Sequence, residues 1–99
     1  MLEVTIFLDS DDLHEGQNTL EYIMRYLMHH HIKGASVFAA TMGFGAKHHL
    51  HLPKKIGNID EQPVMVVFID EESQVHAVLP HLKEIVKEGL IVMKKVEKP

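Results

Sequence analysis

Three histidines crowded into one short run, His48, His49 and His51, are by type and spacing the residues of this chain best suited to metal chemistry. In an extended segment His49 and His51 fall on one face, and neutral imidazoles suit zinc, copper or nickel. A complete site needs a third or fourth ligand, and Asp60, Glu61, another histidine or a neighbouring subunit are the available sources. No full ligand spacing is present, so the competing reading is a set of exposed loop histidines. The three belong to the stretch GASVFAATMGFGAKHHLHLPKK, Gly34 to Lys55, which begins as a strand and ends as a glycine-punctuated, basic, histidine-rich loop. That loop is where a ligand or partner is expected.

Other reactive groups are less organised. Asp9, Asp11, Asp12 and Glu15 read as a solvated connection; the alternative is a hard-cation site, but their spacing matches no calcium loop. His29, His30 and His31 fall in the last turn of a helix, where the negative end of the dipole favours imidazolium. Successive helical side chains point about 100° apart, so these three do not converge on one metal. There is no Gly-x-Ser-x-Gly, no cysteine nucleophile and no paired-carboxylate arrangement, so the chain does not read as an enzyme.

The elements that must position these groups belong to one domain of 99 residues. Its 45% hydrophobic and 24% charged composition is that of a folded globular protein. A domain of this size buries only about two-thirds of its unfolded surface, so help from oligomerisation is expected. The absence of cysteine excludes disulfides and thiolate metal sites. A net charge of −4 argues against nucleic-acid partners, which demand a cationic face. The start, MLEVTIFLDSDD, lacks a basic first segment and turns acidic after one short apolar run. It reads as neither a signal peptide nor a membrane-inserting segment, and a cytoplasmic protein is the simplest expectation.

Leu2 to Leu8 alternates apolar and polar and predicts a strand. Asp9 to Gly16 reads as a loop. Asn18 or Thr19 caps a first helix whose stripe is Leu20, Ile23, Met24 and Leu27. The helix is expected to run to about His30, with Gly34 as its stop. Ala35 to Met42 predicts a second strand of small residues. A long loop follows, about 43–62, with Leu50 and Leu52 able to carry the strand into a projecting arm. Val64 to Ile69 is apolar on both faces and predicts a strand buried on both sides. Asp70 is the expected cap of a second helix with stripe Val75, Val78, Leu79, Leu82, Ile85 and Val86. Pro80 predicts a kink or a break in it. Leu90 to Val96 is the last strand.

This order, strand, helix, strand, strand, helix, strand, is that of an α+β ferredoxin-like βαββαβ domain: a four-stranded antiparallel sheet, two helices on one face, first and third strands central. The third strand is apolar on both faces, yet the chain has helices for only one. A leftover apolar sheet face implies a homo-oligomer. RNA-recognition modules share the element order, but their aromatics belong on the third strand, here VMVVFID, with one aromatic and no base.

The run GASVFAATMGFGAKHHLH, preceded by a capped helix and IKG, resembles the PII-like family known as domain of unknown function 190. The resemblance extends through DEESQVHAVLPHLKEIVKEGLIVMKKV and covers nearly the whole chain. More distantly the chain resembles the PII signal-transduction proteins, which are trimers, bind adenine nucleotides in clefts between subunits and engage transporters or enzymes through a mobile loop. The resemblance therefore implies a regulatory module, an adenine nucleotide as ligand, a trimer, and a membrane transporter or an enzyme as partner. It places the ligand at Gly43, Phe44 and Gly45, with Ala46 and Lys47 following and His51 matching a histidine common in the nearer family. A glycine pair lets backbone N–H groups approach a phosphate, and the lysine adds charge. Two departures bear on it. Ala39 and Ala40 stand where relatives often carry Arg-Gly, and the second glycine-rich phosphate loop shrinks to the turn around Glu88 and Gly89, which favours a small nucleotide as much as a triphosphate. Lys94, Lys95 and Lys98 either compensate or form a solvated tail.

Overall fold

The computed structural model describes residues 1–52 and 62–99. In chain order the elements are β1 (Leu2–Asp9), a two-stranded hairpin β2 (Leu13–His14) and β3 (Gln17–Asn18), α1 (Thr19–His29), β4 (Ala35–Ala39), β5 (Pro63–Asp70), α2 (Glu72–Ile85) and β6 (Leu90–Lys95). The main sheet is antiparallel throughout, in the order β4-β5-β1-β6, with the first and third main strands at its centre as expected. This is the ferredoxin-like arrangement. No helix among the described residues is long and apolar enough to cross a membrane.

Alternation decides which face is covered. Leu2, Val4, Ile6 and Leu8 of β1 lie beside Asp70, Phe68, Val66 and Val64 of β5, and all eight are buried. Ile23 and Leu27 of α1 and Val75, Val78, Leu82 and Ile85 of α2 close over that face and complete one core. The opposite face carries Phe7, Phe38, Met65, Val67, Ile69, Leu90 and Val92, in adjoining register across all four strands. Phe38 is 52% exposed and Leu90 58%. The two-sided burial expected of the third strand is therefore absent within one chain. Its Met65–Val67–Ile69 side belongs to an open apolar face.

Local chemistry fixes the connections, several differently from expectation. The segment expected as a plain loop after β1 folds into the β2–β3 hairpin. Glu15 and Gly16 both take positive φ at its tip, the signature of a tight hairpin turn. Asn18 caps α1 as expected, its side chain accepting from Glu21 N. The stop of α1 is His31, not Gly34. His31 takes φ +63°, Ile32 N donates to Leu27 O and His31 N to Met28 O, a complete Schellman closure with Ile32 tucked into the core.

Asp70 is not the N-cap of α2. Glu71 holds that position without a side-chain bond. The buried Asp70 carboxylate instead accepts from Glu71 N at 2.7 Å and from Lys33 N at 3.0 Å, tying the end of α1 to the start of α2. Nor does Pro80 break α2. Pro80 and His76, four residues before it, are both exposed, so the carbonyl that loses its donor lies on the wet side of the helix. Tyr22 Oη and His81 Nε2, 2.9 Å apart, join the two helices at their surface.

After β4 the chain does not project as an arm through Leu50. It closes on itself through reciprocal backbone bonds, Gly43 N to His51 O at 2.9 Å and His51 N to Gly43 O at 2.7 Å. The remainder of the expected 43–62 loop, including Asp60 and Glu61, lies outside the described residues.

A left-handed L-residue such as His31 costs about 1–2 kcal/mol, offset in part by the chain entropy that glycine adds to the unfolded state. His31→Gly is expected to raise the urea midpoint modestly, while Gly34→Ala, with open space at its Cβ, leaves it near the wild-type value. A lower midpoint for His31→Gly would contradict the assignment of the helix stop.

Candidate functional site

Strand β1 ends on Asp9, and its odd-numbered side chains point to the open face. At Asp9 the returning segment Phe44–Ala46 comes alongside. Asp9 is only 7% exposed, and the space at Gly45 is bounded by its carboxylate, 3.7 and 3.8 Å from where a Cβ would stand. From the other side comes the turn between α2 and β6. Gly89 sits so close to the Phe7 backbone that a Cβ would overlap the Phe7 carbonyl oxygen and lie 2.8 Å from Val86 Cγ1. Glycine is what permits this approach.

Two adjoining clefts result. One, of about 390 Å³, lies between Phe7, Asp9, the Phe44–Ala46 segment and the Glu88–Leu90 turn. The other, of about 370 Å³, lies between Asp11, Asp12, the β2–β3 hairpin, Lys47 and the same turn. Glu88 and Gly89 are common to both.

The electrostatics are dominated by acid. Lys47 Nζ lies 3.4 Å from Asp12 Oδ1 and 4.0 Å from Asp11 Oδ1. The hydrogen bond to Asp12, then the charge of Asp11, hold the lysine protonated above its ordinary range. Asp12 Oδ2 also accepts from Asp9 N at 3.3 Å, which closes the turn. Burial pushes the Asp9 carboxyl up, and the charges of Asp12 and Asp11 add to this, against the pull of Lys47 and His51. The cleft therefore pairs one committed lysine with three clustered aspartates and Glu88.

Of the residues expected at the site, Phe44, Gly45 and Ala46 line the first cleft and Lys47 the second. Gly43 and His51 form the backbone bridge at the base. His48, at φ +55°, stacks on Phe44 at 5.9 Å between ring centres. Among the described residues, the potential metal-ligand atoms gathered within 4.8 Å of one another are those of Asp9, Asp11 and Asp12, not of three histidines. Sequence reasoning read Asp9 as part of a solvated connection, with a hard-cation site as the alternative, and Gly89 as part of a shortened phosphate turn, and did not bring the two together. The available signals were an acid directly after an alternating strand and a glycine directly before one.

A family model for DUF190, described as an uncharacterised ACR, matches residues 1–98. The chain is 30% identical over 92 residues to a UPF0166 protein of Aquifex aeolicus, covering 93% of this chain and 87% of that protein. It is 31% identical over 95 residues to a UPF0166 protein of Methanocaldococcus jannaschii, covering 89% and 82%. Among solved structures it is similar to CutA1 from Pyrococcus horikoshii, with a TM-score of 0.59 at 15% identity over 97% of this chain and 85% of that one. That likeness shows the shared fold.

Because burial raises the Asp9 pKa above its ordinary 3.8 in the folded state, ionised Asp9 opposes folding. Its contribution to stability is full below that value and is lost as pH rises through the raised folded value. In the presence of EDTA, Asp9→Asn is therefore expected to unfold at higher urea than wild type at pH 7, with the difference vanishing as pH falls below about 4. Equal midpoints at pH 7 would contradict the account of Asp9.

Proposed function

The chain belongs to the DUF190 family, and from that premise we propose that it is a regulatory binding module. It assembles as a homo-oligomer, a trimer by the PII resemblance. It takes a small anionic ligand, an adenine nucleotide by the same resemblance, at the Gly43–Lys47 loop base. Through the loop of residues 43–62 it signals occupancy to a protein partner, a transporter or an enzyme.

One observation carries the reading. Phe7 and Leu90 belong to the open apolar sheet face and also line the cleft against Phe44–Ala46. A second copy seated on that face therefore lies against the cleft, and assembly and ligand binding share a wall. The face is large enough to matter. Burying a large apolar side chain contributes about 1.5–3 kcal/mol, so seven partly exposed ones reach the order of the roughly 4–15 kcal/mol that association costs.

The charge of the site limits the ligand. Lys47 is engaged by Asp11 and Asp12, and Glu88 occupies the turn where a second phosphate-binding loop would stand. Coulomb repulsion among these acids and a polyphosphate disfavours a bare triphosphate. A short phosphate, or one whose charge is offset by a divalent cation, fits better.

Calorimetric titration of EDTA-treated protein with AMP, ADP, ATP and cyclic AMP, each with and without magnesium, tests this. Saturable binding of one nucleotide per subunit is expected, preferring few phosphates in the absence of magnesium. Gly45→Phe should abolish it by filling the cleft, whereas Gly45→Ala, whose Cβ meets only ordinary contacts, should retain it. Silence from all four nucleotides, or unchanged affinity in Gly45→Phe, would overturn the reading.

A further inference from the structure

We propose that the outer edge of β4, with the groove beside it along α1, binds an extended segment of a partner protein as a fifth strand. That segment carries apolar side chains at two alternate positions and an acidic one next in the series.

The edge follows from the register. Ala40 N donates to Pro63 O at 2.9 Å, so these two residues form a hydrogen-bonded pair, and such pairs alternate along an antiparallel ladder. Ala35, Val37 and Ala39 therefore turn their N–H and C=O groups away from β5. Among the described residues no strand takes them, because β4 ends the sheet. An edge of this kind is a template for another chain, and proteins guard it with charge or proline. β6, at the other edge, carries Lys94 and Lys95. β4 reads ASVFA and carries neither guard.

The groove says what the added strand carries. Ala35, Val37 and Ala39 pair with Phe68, Val66 and Val64, on the side of the sheet that the helices cover. Val37 is nevertheless 39% exposed, so that cover stops short of the edge. The gap is a groove of about 530 Å³, bounded by Met24 and Met28 of α1 and by Gly34 and Ala35 at the start of β4. Methionine adapts to varied apolar partners. The groove also carries net positive charge. Arg25 is held by Glu21 at 2.9 Å, whereas Lys33 has no acidic partner among the described residues. An antiparallel strand on this edge sets one side chain beside Val37. A second, two residues on, stands beside Ala35 and enters the groove, and a third approaches Lys33. The first two are apolar and the third is Asp or Glu. An acyl chain would fill the groove but leave the backbone edge unpaired, so a peptide fits both features where a lipid fits one.

The inference goes beyond the nucleotide reading and stands without it. The groove opens on the helix side, so a second copy seated on the opposite face does not occupy it, and the peptide requires no nucleotide.

The test is fluorescence anisotropy of a fluorescein-labelled heptapeptide, with valine at position two, leucine at four, glutamate at six and threonine elsewhere, titrated with untagged full-length protein. Saturable binding is expected without nucleotide. N-methylation of the leucine, whose N–H faces β4, removes a strand-pairing donor and should weaken binding about tenfold. N-methylation of the threonine at position three, whose N–H faces solvent, should leave affinity within about twofold. Lys33→Glu should weaken binding severalfold, and a peptide with lysine at position six should recover it. Absence of saturable binding, equal loss with the two N-methylated peptides, or failure of the charge exchange would each overturn the proposal. So would dissociation of the assembled protein by the peptide in sedimentation, since that would place a second copy's strand on β4.

Discussion

The in-register antiparallel pairing of β1 with β5, Leu2 opposite Asp70 through Asp9 opposite Pro63, is the constraint on which the rest of the structure depends. It sets Val4 beside Phe68 and Ile6 beside Val66, and both helices pack on the surface so made. A slip of one residue would turn every one of these side chains to the other face. Because the pairing is fixed, the second face is fixed too. It presents Phe7 beside Met65 and Thr5 beside Val67, with Leu90, Val92 and Phe38 on the flanking strands. The same register that builds the core therefore builds an apolar surface that the described residues leave open.

The candidate site is an extension of that surface. Following β1 along its open-face side leads from Phe7 to Asp9, and there the Phe44–Ala46 segment comes down over the sheet. Two small features make the approach feasible. The reciprocal Gly43–His51 bridge folds the loop base back on itself, and Gly89 lets the α2–β6 turn touch the Phe7 backbone. The cost is a buried carboxylate beside two more acids, only partly relieved by one lysine. Fold stability and the candidate site meet at Asp9, whose ionisation is opposed by burial beside Asp12 and Asp11.

Much of this was legible in the sequence. The alternation of Leu2 to Leu8, the cap at Asn18 and the apolar stripes of both helices gave the element order, and the element order gave the sheet topology. The uncovered face followed from counting helices against a strand apolar on both sides. Errors fell where a tertiary contact outweighs a local signal. Gly34 looked like the helix stop, but Ile32 entering the core closes the helix three residues earlier, at the expense of a left-handed His31. Asp70 looked like a cap, yet its second partner is Lys33 N, 37 residues away in sequence. Asp9 looked solvated, because nothing local reveals that Gly45, on a distant segment, packs against it. The candidate site was legible only in its loop half, Phe44 to Lys47. Its acidic half and its Gly89 wall depend on long-range packing.

The central claim is that the open sheet face is covered by other copies of the chain. Sedimentation velocity at micromolar concentration tests it most directly. The account predicts a single species of three times the chain mass that shifts toward monomer when Phe38 and Leu90 are both replaced by Asp. A wild-type protein that sediments as a stable monomer across the micromolar range would contradict it.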